Sequence, residues 1–176
     1  MSGARASLLC VKEQNDESAR DLDPSALDVG HLALFVGLGY ADAVQQELAR
    51  HGFEGLTFSH GFVFQHLIDG ERTIGELSAR LEVTQQAASK VIADLERLGY
   101  VERTRDPKDA RIHRVRLSER GDECVRTSRR ARARLTRKLT KRHGAPLEAA
   151  RALLAKVLED LGGARAVRAR RVRAPR

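Results

Sequence analysis

Apolar residues Leu27, Leu32, Leu34, Phe35, Leu38, Val44 and Leu48 recur at roughly helical spacing from Ser25, just after Pro24, as far as Arg50. His51 and Gly52 stop the run, with Gly52 placed as a left-handed cap. The pattern predicts a long first helix, and Gly37 and Gly39 inside it are expected to bend or break it. A second helix is predicted from Thr57 to about Ile68, with Phe58, Phe62, Val63, Leu67 and Ile68 as apolar members, ending in an Asp69–Gly70 turn. Thr73 followed by Glu76 is a capping box, in which hydroxyl and carboxylate each take one backbone N–H that the first helical turn leaves unpaired. A short third helix through Ile74, Leu77 and Leu81 should follow, ending at Glu82 and Val83. Thr84 then caps a fourth helix from about Gln85 to Leu98, whose apolar face is Ala87, Ala88, Val91, Ile92, Leu95 and Leu98. Its other face carries Gln85, Gln86, Ser89 and Lys90, and Gly99 is positioned to end it.

Beyond Gly99 the period changes. Tyr100 and Val101 open an extended stretch to Arg105, residues 106–110 are turn chemistry, and Ile112, Val115 and Leu117 mark an imperfectly alternating return strand. A two-stranded hairpin is the expectation. Ser118 caps a long basic helix reaching about Arg142, closed by His143 and Gly144. Pro146 suits the first turn of a last helix, where Leu147, Ala150, Leu154, Val157 and Leu161, supplemented by Leu153 and Leu158, form a seam of three- and four-residue steps. Such a seam wants a partner. Residues 1–23 are polar and unpatterned and read as a mobile arm; residues 162–176, with six Arg and no acid, read as a disordered tail.

Composition narrows the class. Among 176 residues, 41% hydrophobic and 32% charged, no run approaches the roughly 18 to 20 apolar residues of a membrane span, so no membrane partner is expected. The start lacks the pattern of a signal peptide, so the expected location is cytoplasmic. Cys10 and Cys124 have no metal-type spacing, and His60 and His66, six apart, fall on different helical faces, so neither metal nor cofactor is expected. Gly37-Leu38-Gly39 lacks the third glycine and strand context of a dinucleotide loop, and no nucleophile motif is present, so catalysis is not expected. The net charge of +8 is unevenly spread: −7 over residues 1–84, +10 over 85–142 and +5 over 143–176. A basic excess that begins at one point and persists favours a polyanionic partner.

Two short helices joined by a tight turn, the second followed at once by a hairpin, are the order of a winged helix-turn-helix, whose second helix enters the major groove of double-stranded DNA by its turn-proximal end. Here that end offers Thr84, Gln85, Gln86, Ser89 and Lys90. Gln pairs bidentately with adenine, Lys with guanine N7 and O6, and Ser with either edge. A solvated polar face explains such residues on an isolated helix. The hairpin shifts the balance, because Arg103, Arg105, Lys108, Arg111, Arg114 and Arg116 crowd it, and a narrow minor groove attracts Arg. Asp109 is expected to fix the hairpin tip rather than repel DNA.

At these residues the chain resembles the MarR family of winged helix-turn-helix transcription regulators. The likeness rests on residues 73–81 and 84–99 as the two helices, on a wing over residues 101–117, and within it on Asp109-Ala110-Arg111 followed by Val115-Arg116-Leu117-Ser118-Glu119-Arg120-Gly121. The resemblance implies a mainly α fold with a small β-wing, in the order α-β-α-α-β-β-α-α, and an intertwined helical homodimer. It implies a winged domain over residues 24–161, in which dimerisation helices at about 24–52 and 118–161 flank a DNA-binding lobe at about 56–117. The seam Leu147, Ala150, Leu154, Val157 and Leu161 would pair with a second copy, and Arg111 would enter the minor groove. The implied function is sequence-specific repression from a pseudo-palindromic operator, relieved by a small aromatic or lipophilic effector. Phe35, Phe62 and His66 are candidates to line the effector pocket, although core packing accounts for the same residues. Some relatives sense oxidants through a thiol, but Cys124, near Arg120 and Arg126, does not match the placement of their sensing cysteine. The competing class is a nonspecific architectural nucleic-acid binder using wing, basic helix and tail.

Overall fold

Hydroxyl and carboxylate side chains mark where most of the helices begin in a computed structural model of the chain, which describes residues 23–106, 113–164 and 167. The first turn is a 3₁₀ helix, Pro24–Ala26, capped by Asp23, whose carboxylate accepts the Ser25 N–H at 2.9 Å. Leu27 is extended, so the α-helix expected from Ser25 starts later: α1 is Val29–Arg50. Asp28 accepts the N–H groups of Gly30 and His31 there. Gly37 and Gly39 do not break α1, contrary to expectation. An isolated helical glycine costs only about 1 kcal/mol against alanine, too little to interrupt a ladder when no proline removes a donor.

The remaining elements are α2 Phe58–Leu67, β1 Arg72–Thr73, α3 Ile74–Leu81, α4 Gln85–Arg97, β2 Val101–Arg105, β3 His113–Leu117, α5 Glu119–His143 and α6 Ala145–Asp160. From α2 onward this is the order the resemblance implies, and α1 adds one helix before it. The sheet has three antiparallel strands in the order β1-β3-β2: the hairpin read from the sequence pattern, and the early strand implied by the resemblance, β1, which pairs Arg72 with Val115. Two residues are too short for any alternation to reveal. In the hairpin Val101 faces Leu117, Glu102 faces Arg116 and Arg105 faces His113.

The chain divides at Gly39 and Tyr40 into two compact units. The buried core belongs to the second, where Leu77, Leu95, Tyr100 and Val115 are wholly buried. Tyr100 ties several segments together. Its hydroxyl donates to the Glu54 carbonyl at 2.9 Å, the Phe53 and Phe64 rings lie 6.4 and 6.0 Å away, and the Arg120 guanidinium stacks 4.9 Å from its centre. Its backbone carbonyl accepts the Ser118 N–H at 3.1 Å, where α5 leaves β3. Gly121 sits against that carbonyl so closely that a Cβ would collide with the oxygen. The Leu-Ser-x-x-Gly run thus encodes a close backbone approach.

Candidate nucleic-acid interface

The helix-turn-helix is assembled by two caps and one left-handed residue. At the head of α3 the Glu76 N–H donates to Thr73 Oγ1 at 3.1 Å and the Thr73 N–H to Glu76 Oε2 at 2.7 Å, which holds the Glu76 carboxyl below the usual glutamate range. Glu82 ends α3 at φ 55°, the one non-glycine residue with positive φ among the described residues. Thr84 then accepts the Ala87 N–H at 3.1 Å and starts α4. Ala88, Ile92 and Leu95 are buried, which fixes the rotation of α4 and turns Gln85, Gln86 and Lys90 outward. Those three are exposed, as is Thr84, whose hydroxyl caps the helix; Ser89 is half-buried.

The wing cations divide by partner, a distinction that counting charges misses. Arg103 Nε lies 3.1 Å from Glu96 Oε2 on α4, at an angle that forms no hydrogen bond, and is buried. Arg116 pairs across the strands with Glu102 at 2.9 Å. Arg114 donates to the buried Asp106 carboxylate at 2.5 Å and lies 3.9 Å from Glu71, and these acids push the guanidinium further into its charged form. Of the cations on the two strands, Arg105 is the one that forms no ion pair among the described residues. Lys108, Asp109 and Arg111 lie outside the described residues. The sequence places Asp106 in the turn and among the acids that offset the wing's charge, without pairing it with Arg114. Its signal is its placement two residues beyond the Thr104–Arg114 pair, hence on the same face of the hairpin as that Arg.

The long basic helix α5 is partly neutralised. Arg126 and Arg130 pair with Glu123 and Arg134 with Glu47, whereas Arg129, Arg132, Arg137, Lys138, Lys141 and Arg142 form no ion pair among the described residues. The α6 seam buries none of its members: Leu147 and Val157 are half-buried and Ala150 exposed, while Leu154 and Leu161 are 41% and 79% exposed. In the first unit, α1 exposes Leu32, Leu34, Phe35, Val36 and Leu38.

A cavity of about 210 Å³ opens between the second half of α1, the start of α2 and α5, lined among others by Leu48, His60, Phe62, Cys124 and Arg132. Phe62 is therefore at a cavity; His66 is buried but is not part of this lining. Burial pushes the Cys124 thiol up to about 11, with Arg120 opposing weakly, so the thiol stays protonated at neutral pH. No group of three His, Cys, Asp or Glu among the described residues is placed to hold a metal ion, and none of their helices is long and apolar enough to cross a membrane.

Residues 54–112 match the model of the MarR family. A helix-turn-helix-type transcriptional regulator of Mycobacterium bovis is 41% identical over 64 residues, which is 36% of this chain and 45% of that protein; the chain thus matches less than half the length of this curated relative. Among solved structures, a mutant of MarR from Escherichia coli is 25% identical, covering 75% of this chain and 97% of its own at a TM-score of 0.56. A MepR mutant from Staphylococcus aureus, solved bound to an oligodeoxyribonucleotide, is 21% identical, covering 77% and 99% at a TM-score of 0.54. The fold is that of the winged-helix MarR regulators.

Proposed function

We propose that this chain, whose residues 54–112 carry a MarR-family winged helix-turn-helix, is a sequence-specific double-stranded-DNA-binding transcription regulator. The observation that carries the reading is the outward end of α4, where Gln85, Gln86 and Lys90 stand exposed behind the Thr84 cap. Amide and ammonium groups held on a rigid helix end match base edges in the major groove, and their orientation is set by the buried Ala88, Ile92 and Leu95. The DNA-facing lobe spans about residues 56–117. Arg105 and the wing tip, with Lys108 and Arg111, supply the groove and phosphate contacts, while Arg103 serves to dock the wing onto α4 through Glu96.

The regulator acts as a homodimer through residues 24–52 and 118–161. Apolar side chains on α6 and on the first half of α1 support this, since a lone subunit leaves Leu153, Leu154, Leu158 and Leu161 in water. A two-fold pair places its recognition helices about 34 Å apart on a pseudo-palindrome. Repression relieved by a small aromatic or lipophilic effector completes the reading, with the cavity beside Phe62 as the receiving site.

Competition tests it. Binding to a preferred duplex is expected to survive an excess of unrelated duplex of about 10³-fold. Gln86→Ala or Lys90→Ala is expected to cost about 1 to 3 kcal/mol at particular base pairs, whereas Arg111→Ala weakens binding to all sequences and lowers the salt dependence. Equal losses on every sequence for all three substitutions would favour the nonspecific architectural reading, to which the unpaired cations of α5 are suited.

A further inference from the structure

One buried imidazole touches the cavity, the start of α2 and the recognition helix. His60 is 3% exposed and lines the cavity wall. Its Nδ1 accepts the Thr57 N–H at 3.1 Å, doing for α2 what Glu76 does for α3. Because Nδ1 must accept, the ring proton of the neutral form sits on Nε2. That nitrogen faces Asp94 Oδ2 on α4 at 3.5 Å, beyond good hydrogen-bonding length. Asp94 is meanwhile held by Arg97 at 2.6 Å, and lies four residues after Lys90.

A second proton on this ring changes both contacts in opposite senses. A protonated Nδ1 would point a hydrogen at the Thr57 N–H, so the α2 cap is lost, and the positive ring would stand in the first turn of α2, where the helix dipole disfavours it. On the other side, the charge draws the ring toward the Asp94 carboxylate and away from its seat. Among the described residues, the charged group that acts on the ring is Asp94, itself held by Arg97 and flanked by Lys90 on α4, and Cys124 and Arg132 of α5 line the same cavity. Asp94 alone among these favours the charged ring. Burial, the larger influence, holds the His60 pKa below the ordinary histidine value against the pull of Asp94.

We propose that His60 is a proton-operated latch between α2 and α4, which when charged gives up the Thr57 cap, pulls on Asp94 and shifts the helix end that carries Gln85 to Lys90. The latch is a property of the fold; its effect on DNA affinity rests on the function proposed above. Gaining positive charge tightens nonspecific attraction to a polyanion. Release of the latch weakens specific binding, so the sign of the pH effect separates the two.

The test uses the full chain and His60→Gln, whose amide can accept from Thr57 and donate toward Asp94 but cannot titrate. Without DNA, the ring nitrogens of His60 and the backbone amides of residues 86–94 are followed by NMR from pH 7.5 to 5.0. The amides are expected to move with the His60 midpoint, below 6.5, and to lose that transition in His60→Gln. Amides that ignore the His60 midpoint, or that move identically in the variant, overturn the latch whatever the DNA result. With a selected duplex, wild-type affinity is expected to fall at least threefold between pH 7.5 and a pH below the His60 midpoint read by NMR, and the variant's to hold or rise. Equal pH profiles overturn the coupling to DNA. Co-titration in a chain that binds no duplex at any pH upholds the latch and removes the DNA-binding reading instead.

Discussion

Gly121→Ala and Gly61→Ala should move stability in opposite directions, although both place a methyl group on a helix. Alanine gains about 1 kcal/mol over glycine in an unobstructed helix interior. At Gly61 in α2 nothing lies within 4 Å of the new Cβ, so that gain is expected to appear in full or nearly so. At Gly121 the new Cβ meets the Tyr100 carbonyl, which belongs to backbone and cannot swing aside. Relief requires the head of α5 to retreat, and that stretches two bonds: Ser118 N–H to Tyr100 O at 3.1 Å and Ser118 Oγ to Gly99 O at 2.6 Å. Overpacking costs about 1 to 3 kcal/mol and each weakened bond about 1 kcal/mol. Against the helix gain, the net loss at Gly121 is about 2 to 4 kcal/mol, its spread set by the overpacking cost. Urea unfolding followed by far-UV circular dichroism gives both values from midpoints at constant slope. A stabilised Gly121→Ala, or equal shifts at the two sites, would refute the close-approach explanation of the Leu-Ser-x-x-Gly run.

Arg114→Ala is expected to lower the urea midpoint more than Arg105→Ala, because Arg114 holds the buried Asp106 while Arg105 holds no described acid; equal midpoints would contradict this division of the wing cations. The depressed Glu76 pKa means that its cap contributes stability above the unfolded carboxyl value, near 4.3, lost as pH falls through the lower folded value. Glu76→Gln should therefore flatten the acid limb of the stability curve, and an unchanged limb would count against the cap. Leu154→Glu with Leu158→Glu should yield monomers in analytical ultracentrifugation without lowering helix content, since both side chains are exposed in the lone subunit; an unaltered dimer would place the interface elsewhere. Cys124, buried and shifted to about 11, should react with a soluble thiol reagent at pH 8 far more slowly than free cysteine, and fast labelling would contradict its burial.

The caps were the most legible part of the chain. Thr73, Thr84 and Ser118 are side-chain signals that act within three residues, and α3, α4 and α5 start beside them as predicted. The rotation of α4 was legible for the same local reason, since Ala88, Ile92 and Leu95 share a face at 3.6-residue spacing. Contacts made across long separations were not legible. β1 exists only because Arg72 finds Val115, and the fate of each wing cation depends on which acid the hairpin register brings beside it. Charge counting placed Arg103 and Arg105 together, whereas Glu96 on the neighbouring helix separates them. The polar face of α2 concealed His60, whose partners lie in the preceding turn and on α4.

Selecting bound sites from a pool of random duplexes, for the full chain and for Gln86→Ala, bears most directly on the outward end of α4 as a reader of base sequence. The expected outcome is a two-fold motif whose half-sites are centred about 10 base pairs apart, with Gln86→Ala losing preference at one symmetric pair of positions and keeping the rest. Enrichment of no motif, or a motif that Gln86→Ala leaves intact at every position, would contradict it.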